Sequence, residues 1–271
     1  MLGRLTPEEP ASDVPDAQPA RGTASPVPRR TAVILAALGG WLTNLAFPDR
    51  GWWPLAYVGV ALLLLALGST GPGRAAGAGL VWGLCFFLPH VGWALDATGS
   101  VLPWIALSMF QALYVAGFAV LWTYAQRAAW VRDRVPGRAA TAAVLWVAVE
   151  QVRGSWPFGG FPWGYLAFSQ TDAPVLRLAP YGGEILVSAV VVAVGAALTS
   201  SWQWVLTGRR APGVVVAAGA VALTLAPGLL PVHIEQEAGR LRVGAVQGDV
   251  PTAGAPWADQ ARQVTANHAR G

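Results

Sequence analysis

The stretch ILVSAVVVAVGAAL, at residues 185–198, contains no charged residue and has no polar face at helical spacing. A helix in a soluble bundle needs a polar face toward water, so this pattern indicates a helix surrounded by lipid and other apolar helices. Six further apolar stretches lie between residues 31 and 230, separated by short turns that contain arginine. The sequence therefore predicts an all-α polytopic membrane bundle of about seven transmembrane helices.

The predicted transmembrane domain covers residues 31–230. A membrane-spanning helix needs about 20 residues, so the first, second and fifth predicted spans are short. Residues 1–30 are rich in proline, carry mixed charge and lack any helical or strand period, which predicts a disordered cytoplasmic tail. The predicted spans are residues 31–47, 51–68, 75–95, 103–126, 139–153, 181–201 and 211–230.

The composition agrees with a membrane protein. The chain is 54% hydrophobic and only 12% charged, and its 14 tryptophans are typical of indole rings at bilayer interfaces. The net charge of +4 does not indicate nucleic-acid binding, because the arginines lie in loops between apolar helices rather than on one surface. Cys85 is the single cysteine, so the chain cannot form an internal disulfide.

The distribution of arginines predicts the orientation in a bacterial plasma membrane. With a cytoplasmic N-terminus, the loops outside the cytoplasm carry only Arg50, Arg153 and Arg177. This asymmetry follows the positive-inside rule, and seven spans then place the segment after Leu230 outside the cytoplasm. The eleven arginines of the cytoplasmic segments are Arg4, Arg21, Arg29, Arg30, Arg74, Arg127, Arg132, Arg134, Arg138, Arg209 and Arg210.

The character of the chain changes after the last apolar stretch. LRVGAVQGDVP, at residues 241–251, alternates weakly and ends in a turn, which predicts the first strand of a water-soluble domain. We expect residues 239–271 to be only the start of an extracytoplasmic domain. A lone strand has unpaired edges and buries no face, so poor order is expected after about Gly239.

The segment VAVEQVRGSWPFGGFPWGYLAFSQ, at residues 147–170, carries the candidate site. Glu150 and Arg153 are three residues apart, so on a helix they share a face and can pair. Ionisable residues near a membrane are costly unless they are paired or functional. The pair either satisfies only itself at the interface or takes part in binding, and the sequence alone leaves both interpretations open.

The residues after Arg153 contain too much proline and glycine for a regular helix and too many aromatic rings for a solvated loop. Such a segment suits the outer membrane interface, where aromatic side chains prefer to lie. There it either anchors the protein or contacts a lipid-like ligand. The candidate substrate-binding residues are Glu150, Arg153, Phe161 and Trp163.

Several motifs together resemble the membrane domain of bacterial apolipoprotein N-acyltransferases. EQVRG at residues 150–154 and GFPW at residues 160–163 are followed by Gln170, LAP at 178–180 and GG at 182–183. LAFP at 45–48 and GWWPLA at 51–56 precede them, and LRVGAVQG at 241–248 follows. The resemblance implies that the strand at 241 opens a nitrilase-like carbon–nitrogen hydrolase domain of αββα type, of which this chain contains only the beginning.

The resemblance also implies a function. The family transfers an acyl chain from a membrane phospholipid to the N-terminal amine of a diacylglyceryl-cysteine lipoprotein. The partners are therefore the phospholipid acyl donor, the diacylated apolipoprotein acceptor and the surrounding lipids. The family's Glu, Lys and Cys catalytic residues lie in the hydrolase domain beyond its first strand. This chain contains no lysine, so we assign it no catalytic residue and expect it to be inactive alone.

No other residue indicates a reactive or metal site. Cys85 lies within an apolar helix, where a thiol is inert, and His90 is better explained as an interfacial histidine near a proline. His233 and His268 are isolated from any second ligand at a metal spacing. The sequence therefore predicts no metal and no cofactor.

Two other functions remain as alternatives. In the first, the chain is a membrane anchor module fused to, or partnered with, a polyprenol-phosphate mannosyltransferase. In the second, it is a transporter, which would require internal repeats and charged residues at mid-membrane. The halves of this chain show no repeat and the charges cluster at helix ends, so transport is disfavoured.

Overall fold

The computed structural model describes residues 27–68, 70–231, 242–247 and 257–270, and these residues contain helices but no β-strand. Seven long helices follow one another within them, and three shorter helices and three 3-10 turns accompany these. The long helices are α1 (Arg29–Leu45), α2 (Pro54–Ala66), α3 (Pro72–His90), α5 (Val101–Ala125), α7 (Val135–Ser155), α8 (Ala179–Leu206) and α9 (Arg210–Leu225). The shorter helices are α4 (Trp93–Thr98), α6 (Ala129–Asp133) and α10 (Trp257–Arg270), and the 3-10 turns are Leu166–Gln170, Pro174–Leu178 and Ala226–Leu229.

Each predicted span overlaps one long helix, with boundaries that differ by a few residues; two of these differences have a local cause. The predicted third span, residues 75–95, is interrupted, since α3 ends at His90 and α4 begins separately. Pro89 removes a helical donor there, and the chain turns through a bond from the Gly92 N–H to the Pro89 carbonyl. The fifth span is longer than predicted, because the proline at the start of α7 begins the helix four residues earlier. Its 21 residues reach spanning length.

Three helical segments among the described residues are long and apolar enough to cross a membrane. They are Val101–Ala125, Pro174–Leu206 and Arg210–Leu229, and α2 is apolar but has only 13 residues. The long central segment is not continuous, since Gly182 and Gly183 leave helical geometry near the start of α8. These features fit a helical membrane protein.

Small residues allow the helices to approach closely. A Cβ on Gly59 of α2 would lie 2.5 Å from the carbonyl oxygen of Gly39 in α1, and one on Gly83 of α3 would lie 2.7 Å from Ala112 of α5. The Trp82 indole fills the space between these contacts and donates to the Gly59 carbonyl at 3.1 Å. Packing through small residues is the usual way in which helices associate in lipid.

Hydrogen bonds between helices define two ends of the bundle. At one end, Arg138 near the start of α7 donates to Gln203 near the end of α8, at 3.2 Å. At the other end, the Tyr57 hydroxyl of α2 donates to the Gln170 side chain at 2.8 Å, which joins the start of α2 to the α7–α8 connection. We call this second end the loop end, since it carries the candidate site.

The structure describes only part of the residues for which the predictions at the two chain ends were made. Residues 1–26 of the predicted tail lie outside them, and α1 begins at Arg29. Residues 242–247 of the predicted opening strand have no strand structure, and all six are exposed. Leu241 and the predicted turn at residues 248–251 fall outside the description, whereas helix α10 is present at Trp257–Arg270.

Candidate functional site

The last two turns of α7 place Glu150 and Arg153 in the interior of the loop end. Both residues are only 4% exposed, and their spacing puts them on one face of the helix as predicted. They do not form a direct ion pair; the salt bridges of the described residues lie elsewhere, on exposed surfaces. Each charged group instead bonds to the segment that follows α7. We call residues 156–165 of that segment the aromatic loop.

Arg153 holds the aromatic loop by its backbone. Its Nη1 donates to the carbonyl oxygens of Phe161 at 2.9 Å and Trp163 at 2.6 Å, and to the Gln111 side chain at 3.2 Å. The Phe161 N–H returns a bond to the Arg153 carbonyl at 2.8 Å. Nη1 carries two N–H groups, so the three acceptor oxygens around it share these donors. Arg153 therefore fixes the position of the loop residues that carry Phe161 and Trp163.

Aromatic rings enclose the same guanidinium. Its carbon lies 5.3 Å from the Phe87 ring centroid and 5.1 Å from that of Tyr165, distances at which cation–π attraction operates. Burial raises the pKa of Tyr165, partly offset by the positive charge of Arg153, so this phenol is neutral at physiological pH. A Cβ on Gly154 would overlap the Tyr165 hydroxyl, which explains the glycine directly after Arg153.

Glu150 fixes the far end of the aromatic loop. Its Oε1 accepts a bond from the Leu166 N–H at 2.8 Å, at the start of the 3-10 turn Leu166–Gln170. The next backbone N–H, of Ala167, donates to the Ser188 hydroxyl of α8 at 3.0 Å. Buried side chains thus tie the centre and the far end of the loop to the helices, which restricts its backbone.

The glycines of the aromatic loop are required by its backbone path. Gly160 and Gly164 have φ values of 79° and 78°, in the left-handed region that favours glycine. A Cβ on Gly160 would also meet the backbone of Gly154, and one on Gly164 would lie 3.0 Å from the His90 ring. Phe158 adopts a positive φ of 55° without being a glycine, which is uncommon for a bulky residue.

The restrained backbone exposes large aromatic side chains at the surface of the protein. Trp156 is 63% exposed, Trp163 is 51% exposed and Phe158 is fully exposed. Phe161 is half-buried and stacks on Trp163 with ring centroids 6.3 Å apart, while Trp93 of α4 lies 5.5 Å from the Trp163 ring. Of the four predicted substrate-binding residues, only Phe161 and Trp163 lie near the surface; Glu150 and Arg153 lie beneath them.

Sequence reasoning did not single out Gln111, and used Gln170 only as part of a motif. Gln111 is 2% exposed on α5 and accepts the third bond from Arg153. Gln170 is fully buried and also donates from Nε2 to the Trp53 carbonyl at 3.3 Å and to the Ser169 hydroxyl at 2.8 Å. A glutamine inside an otherwise apolar helix was the available signal for Gln111, since such a residue needs a buried partner.

Among the described residues, the remaining reactive side chains do not assemble into a second site. Cys85 is half-buried in α3, and the His90 Nδ1 lies 3.4 Å from the Asn44 amide. The His90 ring also stacks on Phe86, with centroids 4.8 Å apart. In the part of the chain that the structure describes, no group of three or more His, Cys, Asp and Glu residues could hold a metal ion.

Comparison with known proteins identifies the family. A family model described as the apolipoprotein N-acyltransferase N-terminal domain matches residues 39–197, more than half of the chain and all of the candidate site. The chain belongs to the apolipoprotein N-acyltransferase family. The resemblance found in the motifs of the loop end is thereby confirmed.

Individual relatives agree with this assignment. The chain is 36% identical over 259 residues to an apolipoprotein N-acyltransferase of Mycolicibacterium smegmatis, which covers 89% of this chain and 42% of that protein. It is 34% identical over 234 residues to one of Azotobacter vinelandii, covering 80% of this chain and 43% of that protein. The chain thus spans about two fifths of the length of these relatives, and neither they nor the family model support the mannosyltransferase-anchor alternative.

Proposed function

We propose that this chain is the membrane part of an enzyme that transfers an acyl chain from phospholipid to the N-terminal amine of diacylglyceryl-cysteine lipoproteins. The observation that carries the proposal is the aromatic loop, whose backbone is held by buried Arg153 while its aromatic rings are exposed. Rigid aromatic side chains supply large contact areas at low entropic cost, and they suit the apolar chains of both substrates.

The four predicted site residues take two roles in this proposal. Trp163 and Phe161 contact the lipid part of a substrate, since they lie at or near the surface. Glu150 and Arg153 keep those rings in place from below, through their bonds to Leu166 and to the loop carbonyls. The thiol nucleophile, the Glu base and the Lys implied by the family belong to the hydrolase domain, of which residues 239–271 would be the start.

The proposal includes seven membrane spans with a cytoplasmic N-terminus. Arg138 bonds to Gln203, so the arginine-bearing α5–α7 and α8–α9 connections share one end of the bundle. Arg209 lies at this same end, between α8 and α9, and Arg210 is the first residue of α9. A concentration of arginines at one end is what the positive-inside rule expects of the cytoplasmic side. The loop end then faces the outside.

Topology reporters test this orientation. Reporter fusions after Arg134 and after Gly239 are expected to report opposite sides of the membrane, Arg134 inside and Gly239 outside. The expectation follows from the eleven-to-three distribution of arginines and the odd number of spans. Both positions are measured with two reporters, one that is active only in the cytoplasm and one that is active only outside it. The same side for both fusions would contradict the seven-span arrangement.

Replacement of Trp163 by alanine tests the substrate contact. Binding of a fluorescent diacylated lipopeptide to the purified chain in nanodiscs is expected to weaken about tenfold, the scale of a buried aromatic contact in an interface. Trp202 is the matched control, because it is 57% exposed and lies near the end of α8, at the opposite end of the bundle. Equal affinity of W163A and W202A would contradict the proposed contact.

A further inference from the structure

A small cavity of about 20 Å³ lies beside Glu150 and Arg153 in the interior of the loop end. Most of its wall consists of aromatic and aliphatic side chains. Trp146, Glu150 and Arg153 belong to the same wall, because their spacing along the sequence places them on one face of α7. A water molecule needs about 10–15 Å³ of such space, so the cavity has room for a single water.

The three residues of α7 offer polar groups that have no bonding partner among the described residues. The Trp146 indole N–H is buried and donates to no acceptor there. All three hydrogen bonds of Arg153 come from Nη1, which leaves its Nε and Nη2 without a bond to a described residue. Glu150 accepts one bond at Oε1, from Leu166, which leaves its Oε2. Buried polar groups are costly when unbonded, so these groups favour a ligand that both donates and accepts.

Other polar side chains on the cavity wall already have partners. The Tyr114 hydroxyl donates to the Trp156 carbonyl at 2.7 Å, and the Trp82 indole donates to the Gly59 carbonyl at 3.1 Å. The wall also carries one guanidinium and one carboxylate, whose opposite charges balance. It therefore selects neither a cation nor an anion, and a small neutral molecule with both donors and acceptors fits it best.

We propose that the cavity binds one structural water molecule, which accepts hydrogen bonds from Trp146 Nε1 and Arg153 and donates one to Glu150 Oε2. Glu150 and Arg153 make no direct ion pair, so the water joins them. Arg153 holds the centre of the aromatic loop and Glu150 holds its far end, and the water therefore couples the two attachment points. The assignment does not depend on the acyl transfer proposed above.

Two tryptophan variants test the hydrogen bond to this water. Trp146→Phe removes the indole N–H that the water accepts. Trp122→Phe is the matched control, because Trp122 is fully buried, its indole N–H also lacks a partner among the described residues, and it does not line the cavity. Both variants lose the same atoms, but only the loss of a bonded donor removes a hydrogen bond. The midpoint of thermal unfolding in detergent is expected to be about 2–4 °C lower for W146F than for W122F. An equal or higher midpoint for W146F would overturn the assignment.

A crystal structure of the wild-type chain, at a resolution that shows ordered water, tests the site directly. It is expected to show one water within about 3.2 Å of Glu150 Oε2, of an Arg153 nitrogen and of Trp146 Nε1. A direct contact between the carboxylate and the guanidinium, with no water between them, would refute the proposal.

Amide exchange across residues 156–165 measures whether the water couples the two attachment points. Exchange is expected to be faster in W146F than in W122F, because a less firmly held water loosens the centre and the far end of the aromatic loop together. The same exchange rates in both variants would show that the loop does not depend on this site.

Discussion

Replacing Arg153 with alanine is expected to lower the free energy of unfolding by about 3–5 kcal/mol, the usual cost of removing one member of a buried polar network. The substitution leaves the carbonyls of Phe161 and Trp163 and the Gln111 side chain without their buried donor. Glu150 also loses its nearest interior cation. The aromatic loop, no longer held at its centre, should detach from α7.

Thermal unfolding in detergent and amide exchange across residues 156–165 measure the two consequences. Arg153→Lys is expected to fall between wild type and alanine, because an ammonium keeps the charge and donors but not the planar guanidinium that packs against the Phe87 and Tyr165 rings. Arg132→Ala is the control, since Arg132 is exposed and its ion pair with Asp133 belongs to a class that contributes at most about 1 kcal/mol. A loop as protected in R153A as in R132A would contradict the assigned role.

The second prediction with a large effect is that this chain alone does not transfer an acyl group. The 271-residue chain, incubated with phospholipid and a diacylated lipopeptide, is expected to yield no triacylated product. Acyl transfer through a thioester needs a reactive thiolate, a general base and a donor that stabilises the oxyanion. The chain has no lysine, and Cys85, its single thiol, is a half-buried residue of α3.

The mass of the lipopeptide shows directly whether an acyl chain has been added. We expect the chain to bind the lipopeptide without acylating it. A triacylated product that survives Cys85→Ala would mean that the active site has been misplaced. A product that disappears in Cys85→Ala would contradict the prediction more deeply, because it would make a thiol within α3 the nucleophile. Lipopeptide binding by the same preparation shows that the chain is folded.

The positions of the long helices could be predicted from the sequence because the apolar stretches are uninterrupted and bounded by arginine, proline and glycine. Local chemistry is enough there, since a helix in lipid must satisfy its backbone internally. The clearest difference lies where neighbouring residues changed the path of the chain: Pro89 and the turn through Gly92 separated α4 from α3. The predicted strand is not shown at the described residues 242–247.

The location of the candidate site could be predicted from the residue types around it, but the contacts within the site could not. The sequence by itself determined that Glu150 and Arg153 share a helix face next to a loop of aromatic residues, because spacing along a helix fixes which residues are neighbours. Only the tertiary structure decided that the two charges bond to the loop backbone rather than to each other. Gln111 and the loop carbonyls reach Arg153 from distant segments of the chain, and no local pattern encodes such a meeting.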